Sequence, residues 1–153
     1  MTITDVHEEV KRFRATAWPF QQTFLTPLKQ LPEFVATILS ASPVTQASVI
    51  IEQMVFEPKH LLALLAKHSL SIPNWHDAKV TAATEREAAE LLEAALADWL
   101  DFLFLPATQT FAIYADHDEY NTFYAQTDSI LNGFRLALRR GEFKAVEGYE
   151  RRF

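Results

Sequence analysis

Residues 110–140 read TFAIYADHDEYNTFYAQTDSILNGFRLALRR, and the division of this stretch between strand and helix decides the fold. Thr110 to Ala115 is short, apolar and β-prone, the pattern of a strand buried on both faces. Beyond it, Tyr120, Phe123, Tyr124, Thr127, Ile130, Leu131, Phe134 and Leu138 recur at helical spacing, which predicts one helix from about Asp118 to Arg140. Asp118 and Glu119 in its first turn and Arg139 and Arg140 in its last match the helix macrodipole, and Gly141 stands where a left-handed C′ residue belongs. Phe143 to Tyr149 offers a following strand, so the stretch predicts a strand–helix–strand (βαβ) unit.

Upstream, Thr84 and Glu87 form a capping box: the hydroxyl accepts from the third helical amide while the carboxylate reaches back to the cap. The stripe Ala88, Leu91, Leu92, Ala95, Trp99, Phe102 and Leu103 then predicts a helix running on to Pro106, with Lys79 to Ala82 adding an earlier strand. Pro58 opens a helix through Leu61, Leu62, Leu64 and Leu65 to about His68, and Ser69 to Asp77 is a loop around Pro73-Asn74. Two readings stand for the preceding segment. Ser42-Pro43 with Val44, Ala47, Ile51 and Met54 fits a capped helix, whereas the β-branched run from Ser48 to Phe56 fits a strand.

Phe34, Val35, Ile38 and Leu39 predict a helix from Pro32 to about Leu39. Pro19, Pro27 and Pro32 favour an extended connection with an edge strand from Gln21 to Leu25. Val6, Val10 and Phe13 fit a short polar helix over residues 4–14, within a terminal segment, 1–16, expected to be mobile. The expected fold class is α+β, one domain over residues 1–153, with a helical N-terminal half packed on a small sheet that contains the C-terminal strand–helix–strand unit.

Composition narrows function mainly by exclusion. The 153 residues, 49% hydrophobic and 22% charged, suffice for a sizeable core, with about 7,900 Å² expected exposed on folding. The absence of cysteine removes thiol nucleophiles, thiolate metal sites and disulfides. Gly133, Gly141 and Gly148 fit no dinucleotide fingerprint, phosphate loop or nucleophile elbow, so no cofactor is expected. A net charge of −6 disfavours duplex nucleic acid as a partner. The longest clean apolar run, Leu61 to Ala66, is far too short to span a bilayer, and no signal-type apolar region follows Met1, so the expected compartment is the cytoplasm.

The densest polar cluster is Tyr114-Ala115-Asp116-His117-Asp118-Glu119-Tyr120. At the carboxyl end of a strand, Asp116, His117, Asp118 and Glu119 are candidates for divalent metal binding or acid–base chemistry. The competing structural reading is that Asp116 or Asp118 caps the next helix, because adjacent helical positions point in different directions. Tyr114, Tyr120 and Tyr124 flank the cluster as candidates to line a small-molecule pocket. Trp75-His76-Asp77 could join it only if the strands beginning near Lys79 and Thr110 run antiparallel, while His60 and His68 read as solvated helix positions.

Charge is uneven along the chain. Residues 84–120 carry nine acidic side chains against Arg86 alone, whereas residues 133–153 carry six basic against three acidic. The acidic helix face, with no cofactor fingerprint and no nucleophile beside a base, leads to the expectation of a non-enzymatic protein that binds a macromolecular partner, as an adaptor, inhibitor or immunity-type protein. The alternatives are a metal-assisted or acid–base enzyme, or a small-molecule binding protein, using residues 116–119; homodimerisation is expected only on general grounds.

Overall fold

A computed structural model describes residues 1–5, 7–72, 75 and 78–152. Val6 of the N-terminal stripe and Pro73, Asn74, His76 and Asp77 of the predicted loop lie outside the described residues. In chain order the elements are β1 (Thr2–Asp5), α1 (His7–Ala15), β2 (Phe20–Leu25), a 3₁₀ turn (Leu28–Gln30), α2 (Leu31–Ala41), β3 (Ala47–Gln53), α3 (Lys59–Lys67), β4 (Ala78–Ala82), α4 (Glu85–Ala97), β5 (Asp101–Pro106), β6 (Phe111–Ala115), β7 (Tyr120–Ala125), α5 (Asp128–Arg140) and β8 (Ala145–Val146).

The strands form one eight-stranded sheet in the order β1-β4-β3-β5-β6-β7-β2-β8, and every neighbouring pair is antiparallel. The fold is therefore mixed α and β, but the N-terminal half interleaves strands with helices and the sheet is large. Because β4 and β5 both pair antiparallel with β3, they run parallel to each other, and α4 crosses over the strand between them. The C-terminal crossover differs from the expected unit, because it starts from β7 and not from the 111–115 strand: α5 links β7 to the two-residue β8 across β2. With β8 outside it, β2 does not form the sheet edge.

Alternation along the strands separates two cores. Val49, Ile51, Phe102, Phe104, Phe111, Ile113, Phe123 and Ala125 face a layer of α2, α3, α4 and α5, in which α2 lies against α4 and α5, and α3 against α4. On the opposite face Ile50, Leu103, Leu105, Ala112, Tyr114 and Tyr124 pack beneath Phe13 of α1 and Trp18. Ion pairs from Lys79 to Glu9 and from Arg14 to Glu52, the latter at 3.3 Å, fasten α1 to this face. Folding leaves 8077 Å² accessible, close to the size-based expectation.

Two predicted helices are too long. The capped helix ends at Ala97, where Trp99 turns left-handed (φ +56°) and the Leu100 amide reaches back 3.3 Å to the Ala95 carbonyl, a Schellman closure. Residues 101–106 then run as β5, buried throughout. Such a strand has core on both faces, so it shows no polar alternation, and Phe102 and Leu103 continue the helical stripe by coincidence. Likewise 120–125 is strand β7, and α5 starts only at Asp128, after Thr127, whose hydroxyl accepts from the Ile130 amide at 3.3 Å.

The Ser42–Phe56 segment takes the strand reading as β3, while the hydroxyl half of the capping box forms as expected: Thr84 Oγ1 accepts from the Glu87 amide at 3.1 Å. Glu87 itself reaches one residue past the cap, accepting from the Ala83 amide at 2.7 Å, which holds its carboxyl below the usual carboxylate range. Gly141 proves to be the C-cap of α5 (φ −76°), and Glu142 is the left-handed C′ residue (φ +63°). The Phe143 ring explains the glycine, since a β-carbon at position 141 would lie 2.6 Å from Cε2 of that ring.

Candidate functional site

Asp116, His117, Asp118 and Glu119 form the loop of the β6–β7 hairpin, not the start of a helix. Asp116 donates its amide to the Tyr120 carbonyl at 3.0 Å, and its Oδ1 accepts from the amides of Asp118 and Tyr120 at 3.0 and 3.1 Å. This is the side-chain-to-backbone chemistry of a cap, used to close a turn. With Asp116 and Tyr120 as the closing pair, residues 117–119 make a three-residue hairpin loop, and Glu119 occupies the left-handed position (φ +71°) that such a loop requires.

Asp116 Oδ2 forms an ion pair with Arg151, whose guanidinium lies 4.3 Å above the centre of the Tyr114 ring. The Tyr114 hydroxyl donates to Glu52 at 2.9 Å, and burial followed by the Glu52 charge raises its pKa. Burial likewise raises that of Tyr124, whose hydroxyl donates to the Arg151 carbonyl at 3.3 Å. Gln21 accepts from the Arg151 amide at 2.9 Å and donates to its carbonyl at 3.1 Å, while Tyr149 packs on Tyr120 with ring centres 4.8 Å apart. The C-terminal segment thus fills the space among Tyr114, Tyr120 and Tyr124.

His117 turns away from this network. Its amide and its Nδ1 both lie 2.8 Å from Oδ1 of Asp101, the buried first residue of β5. A carboxylate can only accept, so Nδ1 carries the proton and Nε2 remains as the acceptor of the neutral ring. The hydrogen bond to Asp101, then its charge, raises the His117 pKa above 6.5. His117 lines a pocket of about 550 Å³ with Phe56, Trp99, Asp118 and Glu119. The pairings Gln53–Asp101, Phe102–Ala115 and Ala115–Asn121 place the loops bearing these residues at one end of the sheet.

Among the described residues, no group of three His, Asp or Glu is disposed to hold a metal ion. His60 has a role of another kind: its amide and Nδ1 lie 3.0 and 2.7 Å from Oδ1 of the buried Asp98, whose Oδ2 accepts from the Leu61 amide at 2.7 Å. Asp98 thereby caps α3, which opens at a proline with no side-chain cap of its own. His68 Nδ1 lies 3.9 Å from Glu87 Oε1. The strands β4 and β6 run antiparallel with β3 and β5 between them, and His76 lies outside the described residues.

On the helical side a groove of about 610 Å³ opens between α2, α3 and α4. Leu31, Leu64, Ala94 and Ala97 supply apolar floor, exposed Leu28 stands at its rim, Glu90 and Glu93 line the α4 wall, and Lys67 lies on the α3 wall. No helix among the described residues is long and apolar enough to cross a membrane.

Sequence reasoning missed Asp101, Phe56, Trp99 and Arg151. The signal for Asp101 was its intrusion into an apolar run, which a helical reading turned outward; Arg151 gave none, since it meets Asp116 across 35 residues. No protein-family model matches this chain, and no significant match to a curated protein or a solved structure was found.

Proposed function

We propose that this protein acts without catalysis, as a cytoplasmic adaptor, inhibitor or immunity-type protein that binds a partner protein through the groove of its helical layer. The occupant is an amphipathic helix whose apolar side lies on Leu64, Ala94 and Ala97 and whose lysines or arginines face Glu90 and Glu93. The observation that carries this reading is the apolar groove walled on one side by carboxylates. Two residues of the 116–119 loop support it by being engaged within the fold: Asp116 on the turn and Arg151, His117 Nδ1 on Asp101.

The test uses two labelled amphipathic peptides with one apolar face, their polar faces bearing either lysine and arginine or glutamate. The basic peptide should bind and the acidic one should not, and Glu90→Lys with Glu93→Lys should weaken binding roughly tenfold, the equivalent of about 1.4 kcal/mol. Ala63→Arg, an exposed position in the groove, should block it without disturbing the core. Equal affinity for both peptides, or none for the basic one, overturns the proposal.

A second reading, acid–base chemistry at His117, is favoured by the Asp101–His117 pair beside the pocket. It requires that chromogenic ester or phosphoester turnover by the purified protein be abolished by His117→Ala. Turnover that persists in that variant removes it.

A further inference from the structure

The pocket at the end of the sheet is independent of the helical groove, and its walls differ in chemistry. Phe56 and Trp99 supply aromatic surface, while Asp118 and Glu119 stand at its edge. Phe56 is 58% exposed, the most exposed of the large hydrophobic side chains among the described residues. Trp99 takes the left-handed C′ position of α4, where glycine is the ordinary occupant, so a bulky aromatic is held there against backbone preference. The three loops that meet here, residues 54–58, 98–100 and 116–119, contain Glu57, Asp98, Asp116, Asp118 and Glu119 and no lysine or arginine. Asp98 is spent on α3 and Asp116 on Arg151, which leaves Glu57, Glu119 and Asp118, whose Oδ1 also lies 3.9 Å from Nε2 of the lining His117, to set the local potential.

We propose that this pocket is a binding site for a small organic cation with an alkylated ammonium head, seated against Phe56 and Trp99 and neutralised by Asp118 and Glu119. Carboxylates alone attract any cation. The aromatic walls select one that is weakly hydrated and large enough to lie over a ring face, which favours a quaternary ammonium over a metal ion or a primary amine.

The site can be dismantled without unfolding the protein. Phe56→Ala alters an exposed side chain, and Trp99→Gly and Glu119→Gly place glycine at positive φ. The experiment titrates choline into isotopically labelled protein and follows backbone amides with the Trp99 indole resonance, alongside the neutral isostere 3,3-dimethylbutanol. Choline should shift signals confined to residues 56, 99 and 117–119, the isostere should not, and each of the three variants should weaken binding roughly fivefold while keeping a cooperative thermal melt. A trimethyl-lysine peptide, titrated in parallel, identifies the source of the head: tighter binding than choline assigns it to a protein side chain, weaker binding to a free molecule. Equal binding of the isostere, shifts spread over the α4 glutamates, or indifference to Phe56→Ala and Trp99→Gly overturns the proposal. None of these outcomes depends on Glu90 or Glu93, so failure here is distinct from failure of the groove.

Discussion

Asp101 holds His117 twice through one oxygen, accepting from its amide and its Nδ1–H, each at 2.8 Å, across 16 residues of chain. The same arrangement recurs where Asp98 meets His60, so two buried aspartates near the start of β5 organise two separate loops.

The first pair makes stability depend on pH. The His117 pKa is raised above 6.5 in the folded protein, so protonation favours the fold. Its contribution is fully present below about pH 6.5, the unfolded value, and is lost as pH rises through the folded one. The difference in unfolding midpoint between the parent and His117→Gln should therefore shrink from mildly acidic to alkaline pH, with the His117 ring protons titrating above 6.5 by NMR. A pH-independent difference contradicts the linkage.

Asp98→Ala should remove three hydrogen bonds from the start of α3, two from backbone amides, and cost about 2–3 kcal/mol. Urea denaturation gives the magnitude. Hydrogen exchange should show the loss concentrated at His60 and Leu61; uniform loss across the sheet would mean that the cap is not the cause.

At the end of α5 two neighbouring substitutions should have opposite signs. Glu142→Gly relieves a left-handed backbone at an exposed site and should stabilise by about 0.5–1 kcal/mol. Gly141→Ala drives a methyl into the Phe143 ring, which packs edge-on against Phe34 with centres 5.2 Å apart, and should destabilise by about 1–2 kcal/mol. Thermal melts of the two variants decide the matter.

Arg151→Ala should free the C-terminal segment from Asp116 and Tyr114 at a cost of about 1–2 kcal/mol. Amide exchange at residue 151, where the N–H donates to Gln21, should accelerate more than exchange in β6 or β7. Equal acceleration in the strands would show instead that the arginine supports the whole sheet end.

Local chemistry alone determined a good part of this protein. Thr84 caps α4 because a hydroxyl and the third helical amide are close in sequence, and Phe34, Val35, Ile38 and Leu39 mark α2 because one face must be apolar. The strands at 78–82 and 111–115 follow from short β-prone runs. The tertiary structure decided 101–106 and 120–125, because a strand with buried core on both faces of the sheet loses the period-two pattern that identifies strands. It also decided the candidate site. The sequence shows Asp116 to Glu119 as neighbours, but the partners that give them roles, Asp101, Arg151, Phe56 and Trp99, arrive from other loops, through sheet pairing that no local spacing encodes.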